Sequence, residues 1–506
     1  MKRNRILVLT VLLSLVLVVG SLAPALAQTE SLVIWADGER APLLVELGEQ
    51  FTEEFGIPVE VLEIGLGEAR DDLLNFGPAG EGPDILISPH DSIGQFVING
   101  AIVPLDLAGL EDQFNPIALD LFTYEDGNLY AVPYATENVA LIRNVDLVPE
   151  VPETWEALRE MAIQMVEDGV TQYPFVVQTG NTYHNFPITS AFGGYIFGLN
   201  EDGSYNVADL GLNSPGGLAS AEWLSSMYND GLMPTDVDDD VAFDLFTSGD
   251  AAMIVTGPWF SQRIIDTGVN YSIDPFPVSE IYTDGGPFLG GQGFVISAFS
   301  DNQILAETFL LDFVATTEFM QTIFDNGGRP SAWLDVDMSE NPNIDGFNNA
   351  GVNAIPMPTI PEMAAVWAAS DAALTLISQG ADPVQSYEDA TQQIAEAIDV
   401  LATGAVESVA LVGSLQAAIG CPGDWDPACE TTYLEDQGDG LYAATFMVPA
   451  GEYEYKIALN DGWAENYGVD GVADGPNIPL VVEEDMEITF TYDHNTKEIT
   501  DSVNNG

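Results

Sequence analysis

Ser31-Leu-Val-Ile-Trp-Ala36, a helix-patterned stretch from Pro42 to Phe55, and Val59-Glu-Val-Leu-Glu-Ile64 together decide the fold. An apolar run, an amphipathic helix and a second run within about 35 residues form a βαβ unit, which requires a parallel sheet covered by helices. Asp37-Gly-Glu-Arg40 is the polar exit of the first strand, and Gly56-Ile-Pro58 turns the chain into the second. Gly80-Glu-Gly-Pro-Asp84 leads into a third run, Ile85-Leu-Ile-Ser88, with His90-Asp91 just past its end. Open α/β sheets gather ligands at the carboxyl ends of their strands. Asp37, Glu39, Arg40 and Asp91 are therefore expected on one rim.

Working outward, the N-terminus reads as a secretory signal. Lys2-Arg3-Asn4-Arg5 is a basic start, Ile6 to Val19 is apolar but short for a span, and Ala25-Leu26-Ala27 is a small-residue cleavage site. The mature chain is expected to start near Gln28, outside the cytoplasm (periplasmic, cell-surface or secreted). The 506 residues carry 11 Lys+Arg against 80 Asp+Glu, a formal charge of −69. Such a surface repels nucleic acid and anionic lipid and repels itself, so salt or mild acid should stabilise the fold.

Toward the middle, Met253-Ile254-Val255 reads as a buried strand ended by Gly257-Pro258, with Trp259 on the turn before a helix. That indole either plugs sheet against helix or offers a ligand a flat apolar face. Thr154 is expected to cap a helix, Leu218 to Tyr228 to be helical, and Phe309 to Phe324 to be a helix stopped by Asn326-Gly327-Gly328. Met363 to Ser378 and Tyr387 to Ala402 read as two more helices. Asp236-Val-Asp-Asp-Asp240 lacks the glycine and distal Glu of a calcium loop.

Beyond Ala402 the periodicity changes. Ser408 to Val412, Tyr442 to Val448, Tyr453 to Leu459 and Glu487 to Tyr492 alternate like strands, separated by Asp439-Gly, Asn460-Asp-Gly and Asp474-Gly-Pro. These predict a β-sandwich of about 95 residues. Cys421 and Cys429, the only cysteines, are expected to pair in an exported chain and brace the loop between them.

Two resemblances follow from particular blocks. Leu32-Val-Ile-Trp-Ala-Asp-Gly-Glu39, Gly82-Pro-Asp-Ile85, Tyr130-Ala-Val-Pro-Tyr-Ala-Thr-Glu137, Gly257-Pro-Trp259 and Met357-Pro-Thr-Ile-Pro-Glu-Met363 with Trp367 resemble the maltose/maltodextrin-binding proteins. These are extracellular solute-binding proteins of ATP-driven sugar importers. Leu411-Val-Gly-Ser-Leu-Gln416, Gly420-Cys-Pro-Gly-Asp-Trp425 and Asn460-Asp-Gly-Trp-Ala-Glu-Asn-Tyr-Gly468 resemble the β-sandwich domain that accompanies pullulanases.

The resemblances imply a two-lobed α/β periplasmic-binding-protein fold of type II, hinged between lobes, followed by an all-β immunoglobulin-like sandwich. The implied organisation is a signal over 1–27, a solute-binding domain over 28–404 and a module over 405–506. Lobe 1 would take about 28–137 and 280–340, and lobe 2 about 138–279 and 341–404. Trp259 and Trp367 would be stacking platforms with Tyr183 beside them. Glu39, Arg40, Asp91 and Glu137 would contact hydroxyls, and Met357 would line the wall. Trp425, Lys456, Trp463 and Tyr467 would form a second glucan surface. Residue by residue the match departs at Ser88 and Ser92, at Ala368 and Asp371, and at Asn181, where maltose binders carry aromatic or charged groups. Glucan length and linkage therefore stay open.

Bland alternatives stand beside these roles: Trp367 as a core residue, Asp91 as a helix cap, His90 as structural, and Trp425 and Trp463 as filling of the sandwich. The function expected is capture of a maltodextrin-type oligosaccharide for the permease of an ABC importer. The chain would act as a monomer without cofactor, metal or nucleic acid, and with an appended module for starch. The alternative is a secreted glycoside hydrolase, which needs two carboxylates at a set separation. The first 400 residues show no eight-fold βα pattern, nucleophile elbow or phosphate loop in support of an enzyme.

Overall fold

The computed structural model describes residues 31–504 except 283–284, 404–405, 407, 439, 461, 464 and 473–474. The signal segment 1–27 lies outside the described residues, as do Asp439, Asp461 and Asp474 of the expected turns.

In chain order the first strands are β1 (Leu32–Ala36), β2 (Val59–Glu63), β3 (Ile85–Pro89), β4 (Val132–Glu137), β5 (Ala140–Asn144) and β6 (Tyr173–Val176). A separate hairpin, β7 (Phe197–Leu199) and β8 (Tyr205–Leu210), precedes β9 (Ala251–Thr256), β10 (Tyr271–Asp274), β11 (Phe288–Ile296) and β12 (Ile355–Pro356). One sheet runs β12-β11-β3-β1-β2, with β4 also on β11; a second runs β10-β5-β9-β6. β1 is parallel to both β2 and β3, joined by the helix Ala41–Phe55 that the opening stretch requires. β1 and β3 are buried almost throughout because both faces are covered, whereas β2 alternates because it is an edge.

Each sheet has its own core. Around the first pack Leu32, Ile34, Phe51, Ile85, Phe294, Phe309 and Phe324. Around the second pack Trp155, Phe175, Trp223, Met253 and Tyr387, under the helices Trp155–Glu167, Pro215–Asn229, Ala364–Ser378 and Pro383–Thr403. The chain passes between the two bodies three times: at Asn138–Val139, between β10 and β11, and between Trp333 of the first core and Phe347 of the second. Three crossings make a hinge, and the molecule is a two-lobed α/β binding-protein fold.

Local signals operate as read. Thr154 Oγ1 accepts from the Ala157 amide at 3.0 Å, capping the helix that follows. The expected helix 309–324 differs. A helix over Gln303–Phe309 passes through a π turn to Val314 and breaks, and a new helix, Thr317–Gly327, starts behind Thr316. Thr316 takes an extended backbone and accepts from the Phe319 amide at 3.2 Å, so a local cap overrides the apolar periodicity.

The C-terminal region is an all-antiparallel sandwich. Its strands are β13 (Val409–Gly413), β14 (Glu435–Gly438), β15 (Leu441–Val448), β16 (Gly451–Leu459), β17 (Asn466–Tyr467), β18 (Ile478–Val482), β19 (Met486–Asp493) and β20 (Glu498–Asp501). The sheets β13-β16-β17, with β18 on β16, and β14-β15-β19-β20 bury Leu411, Val448, Tyr455, Leu480, Phe490 and Tyr492 between them. Cys421 and Cys429 form a disulfide.

Candidate functional site

The exit of β1 bends at once into the helix Ala41–Phe55. The Asp37 carboxylate holds that bend by accepting the amides of Glu39 at 2.9 Å and Arg40 at 3.3 Å. Arg40 is pulled inward until only 2 % of it is exposed, and it pairs with both Asp37 and Glu39. A buried guanidinium is tolerated only when paired and hydrogen-bonded. The strand end thus presents an ordered run of charge rather than three free side chains.

That run continues through residues distant in sequence. Arg329 Nε donates to Glu137 Oε2 at 2.7 Å, its Nη1 donates to Glu39 Oε1, and Gln292 Nε2 donates to Glu137 Oε1 at 2.9 Å. Signs alternate from Asp37 through Arg40, Glu39 and Arg329 to Glu137. Burial alone would lower the Arg329 pKa, but Glu137, Tyr134 and Glu39 carry it above the ordinary arginine range. Two glycines make room. A Cβ on Gly327 would lie 2.3 Å from Glu39 Oε1, and Gly328 ends the helix at φ +67°.

The opposite wall is aromatic and belongs to the second lobe. Tyr183 lies 6.3 Å from Trp259, tilted by 41°, and stacks on Phe288 at 6.0 Å. Arg329 sits 5.6 Å over the Trp259 ring, and Trp367 Nε1 donates across the cleft to Asp91 Oδ2 at 3.1 Å. Burial pushes the Asp91 carboxyl above the usual range, offset in part by Arg70 and the Trp367 N–H. His90 is fully buried. Its Nδ1 accepts from the Gly291 amide at 3.1 Å, so Nε2 carries the proton toward the Met357 carbonyl at 3.1 Å. Burial lowers its pKa and keeps it neutral, a structural weld between the end of β3, β11 and the Met357 wall.

All nine cleft residues expected from sequence (Asp37, Glu39, Arg40, Asp91, Glu137, Tyr183, Trp259, Met357 and Trp367) line one cavity of about 420 Å³. Leu66, Pro89, Gln292 and Arg329 line it too and were not anticipated. Arg329 had one usable signal: in a chain with 11 basic residues, an arginine directly after the helix stop Asn326-Gly327-Gly328 is rare. Asp91 makes no capping bond, and Trp259 both packs on the second core and faces the cavity.

Two of the departures noted above serve local structure here. Asn181 caps its helix by accepting from the His184 amide at 3.0 Å, and Asp371 accepts from Thr182 Oγ1 at 2.6 Å. The cavity offers flat apolar rings on one side and hydrogen-bonding charge on the other, the pairing a sugar's C–H faces and hydroxyls require. Tyr183 Oη and Gln292 Oε1 are buried with no hydrogen-bond partner among the described residues. Groups of that kind are uncommon in folded proteins.

In the sandwich, Trp425, Lys456 and Trp463 share a second groove, with the two indoles 6.3 Å apart and tilted by 35°. Tyr467 is a correction to the expected surface. It is buried in the sandwich core, stacks on Tyr492 at 5.7 Å, and donates its hydroxyl to Glu465 at 2.6 Å. Its place on the short strand β17 turns the ring inward.

Comparison with known proteins gives two family matches. Residues 46–351 match the bacterial extracellular solute-binding protein family, and residues 408–499 match the pullulanase X25 domain. A galactooligosaccharide-binding protein of Bacillus subtilis is 31% identical over 388 residues, covering 74% of this chain and 90% of that protein. A maltodextrin-binding protein of the same organism is 26% identical over 362 residues, 69% of this chain and 85% of its own. An amylopullulanase of Thermoanaerobacterium saccharolyticum is 50% identical over 90 residues, which is 18% of this chain and 7% of the enzyme.

Proposed function

The chain belongs to the bacterial extracellular solute-binding proteins, and on that premise we propose that its cleft captures a neutral oligosaccharide of the maltodextrin or galactooligosaccharide type. The observation that carries this reading is the meeting of two unlike walls in one cavity. Trp259, Trp367 and Tyr183 come from one lobe, and the Asp37–Arg40–Glu39–Arg329–Glu137 lattice comes from the other lobe and the hinge. The rings would stack on apolar sugar faces. The carboxylates, held by arginines, would accept from hydroxyls without costly reorientation.

Closing the lobes on the sugar would create the surface that an ABC permease recognises. The chain acts outside the cytoplasm as a monomer, delivered by cleavage of the signal segment after Ala27, and the X25-like module holds starch or a related α-glucan nearby.

Hydrolysis is the competing reading. The cavity carboxylates are all engaged: Asp37 and Glu39 are ion-paired with Arg40, Glu39 and Glu137 with Arg329, and Asp91 accepts from Trp367. Against hydrolysis, the likeness to amylopullulanase covers only the module, and the cleft-bearing region is similar to oligosaccharide-binding proteins.

The test titrates tryptophan fluorescence of residues 28–506 with maltotriose, longer maltodextrins and galactooligosaccharides, and measures released reducing sugar in the same tubes. Saturable quenching or enhancement without hydrolysis is expected. Released sugar would overturn the transport reading, and silence toward every oligosaccharide would overturn the ligand class.

A further inference from the structure

The groove that holds Trp425 and Trp463 has a second wall that does not belong to the module. Asn75, Phe76, Pro78 and Glu81, from the end of the first-lobe helix Leu66–Phe76 and the turn after it, line the same space of about 360 Å³. Phe76 is 41 % exposed, a large ring at a helix end facing solvent. The wall is firmly set, because a Cβ on Gly77 would lie 2.4 Å from the Phe299 ring.

On the module side the presentation is equally fixed. Trp425 has a left-handed backbone, φ +58°, which a bulky residue adopts only where its surroundings over-determine it. The Cys421–Cys429 disulfide closes its loop, and Gln416 grips the adjoining peptide by accepting from the Asp426 amide at 2.8 Å and donating to the Asp426 carbonyl at 2.7 Å. Lys456 Nζ donates to Asn466 Oδ1 at 3.2 Å, which sets the ammonium beside the indoles.

We propose that these two walls form one binding site for a segment of α-glucan polymer, shared between the first lobe and the module. It rests on the reading of the module as a glucan binder and adds that the module does not bind alone. Phe76, Trp425 and Trp463 supply apolar faces; Glu81, Lys456 and Asn75 supply acceptors and donors for hydroxyls. The same helix begins at Leu66 in the cleft and ends at Phe76 in the groove. At 1.5 Å per residue its 11 residues separate the two sites by roughly 16 Å. A polymer held in the groove keeps its free ends concentrated near the cleft, an effective-concentration gain that needs no new contact.

The experiment measures retention of the full mature chain on amylopectin by affinity electrophoresis, with thermal unfolding as a folding control. Phe76→Ala combined with Glu81→Gln, both exposed positions outside the cleft, should weaken retention at least fivefold. Trp463→Ala should weaken it at least as much. If Trp463→Ala weakens retention and the Phe76/Glu81 variant does not, the site is the module's alone and the shared groove is overturned, while the proposed function stands. If the unmodified chain is not retained, the module reading itself fails and this inference with it.

Discussion

The cleft and the groove both set aromatic rings against polar groups, but they are held together over very different distances in the chain. In the cleft, Arg329 reaches Glu137 across 192 residues and Glu39 across 290. In the groove, Trp425 is fixed by a disulfide spanning eight residues and by Gln416. The lattice itself lies within the first lobe, and what spans the cleft is the Trp367–Asp91 hydrogen bond and the Arg329–Trp259 stack, contacts that opening of the lobes can break. On the module side of the groove the brace is local, so Trp425 keeps its presentation through lobe opening, while the facing wall at Phe76 and Glu81 moves with the first lobe. That contrast suits a receptor that must release one ligand while retaining another.

Breaking the long-range lattice should have the largest effect. Arg329→Met would leave the buried Glu137 without its arginine, at a cost of about 3–5 kcal/mol, while Glu39, a third exposed, keeps Arg40. Urea unfolding should show that loss, and fluorescence titration should show oligosaccharide binding weakened more than 100-fold, with amylopectin retention intact. Arg329→Lys should recover part of the stability but not the fork between two carboxylates.

Acid should separate the two sites next. His184 lies 5.6 Å from the Trp259 ring, and burial lowers its pKa from 6.5 to about 3. The unfolded chain therefore binds a proton below pH 6.5 that the folded chain refuses. This contribution to stability is complete above pH 6.5 and is lost as pH falls toward about 3, by up to about 1.4 kcal/mol per pH unit. It opposes the relief of charge repulsion that acid brings to a −69 chain. Comparing acid titrations of stability for wild type and His184→Phe isolates the term, and the variant should lose the steeper slope.

The local brace is sharpened by the double change Cys421→Ser and Cys429→Ser. Releasing that short loop should cost the module about 2 kcal/mol. Differential scanning calorimetry should show the sandwich transition shifted down, with weaker amylopectin retention and unchanged cleft titration.

The smallest effect is expected at Asp91→Asn. An amide oxygen still accepts the Trp367 N–H, and the buried charge is removed, so stability should change by less than about 1 kcal/mol. Affinity for oligosaccharide should fall only several-fold in the same titration.

Legibility followed the range of the interactions. The βαβ opening, the Gly257-Pro258 turn, the Thr154 cap and four strands of the sandwich depend on neighbours a few residues apart, and apolar periodicity and capping chemistry display them directly. Asp37, Glu39, Arg40 and Asp91 followed from the carboxyl ends of the first strands, and the remaining cleft residues came through resemblance, since their blocks are short and ordered along the chain. Tyr467 was misread because alternation on a two-residue strand is too short to say which face a ring takes.

By itself the sequence pattern determined the parallel α/β opening, the change to an all-β module after residue 402 and the acidic surface, while the two lobes and the sugar-binding roles came through resemblance. The first three rest on pattern and composition, which are properties of the chain. Only the tertiary structure decided that Arg329 and Gln292 complete the carboxylate lattice, that His90 is a neutral weld, and that Phe76 lines the same groove as the indoles of the module. Those relations join residues far apart in the chain. Burial and pairing are set by which surfaces meet after folding, and no local pattern carries that choice.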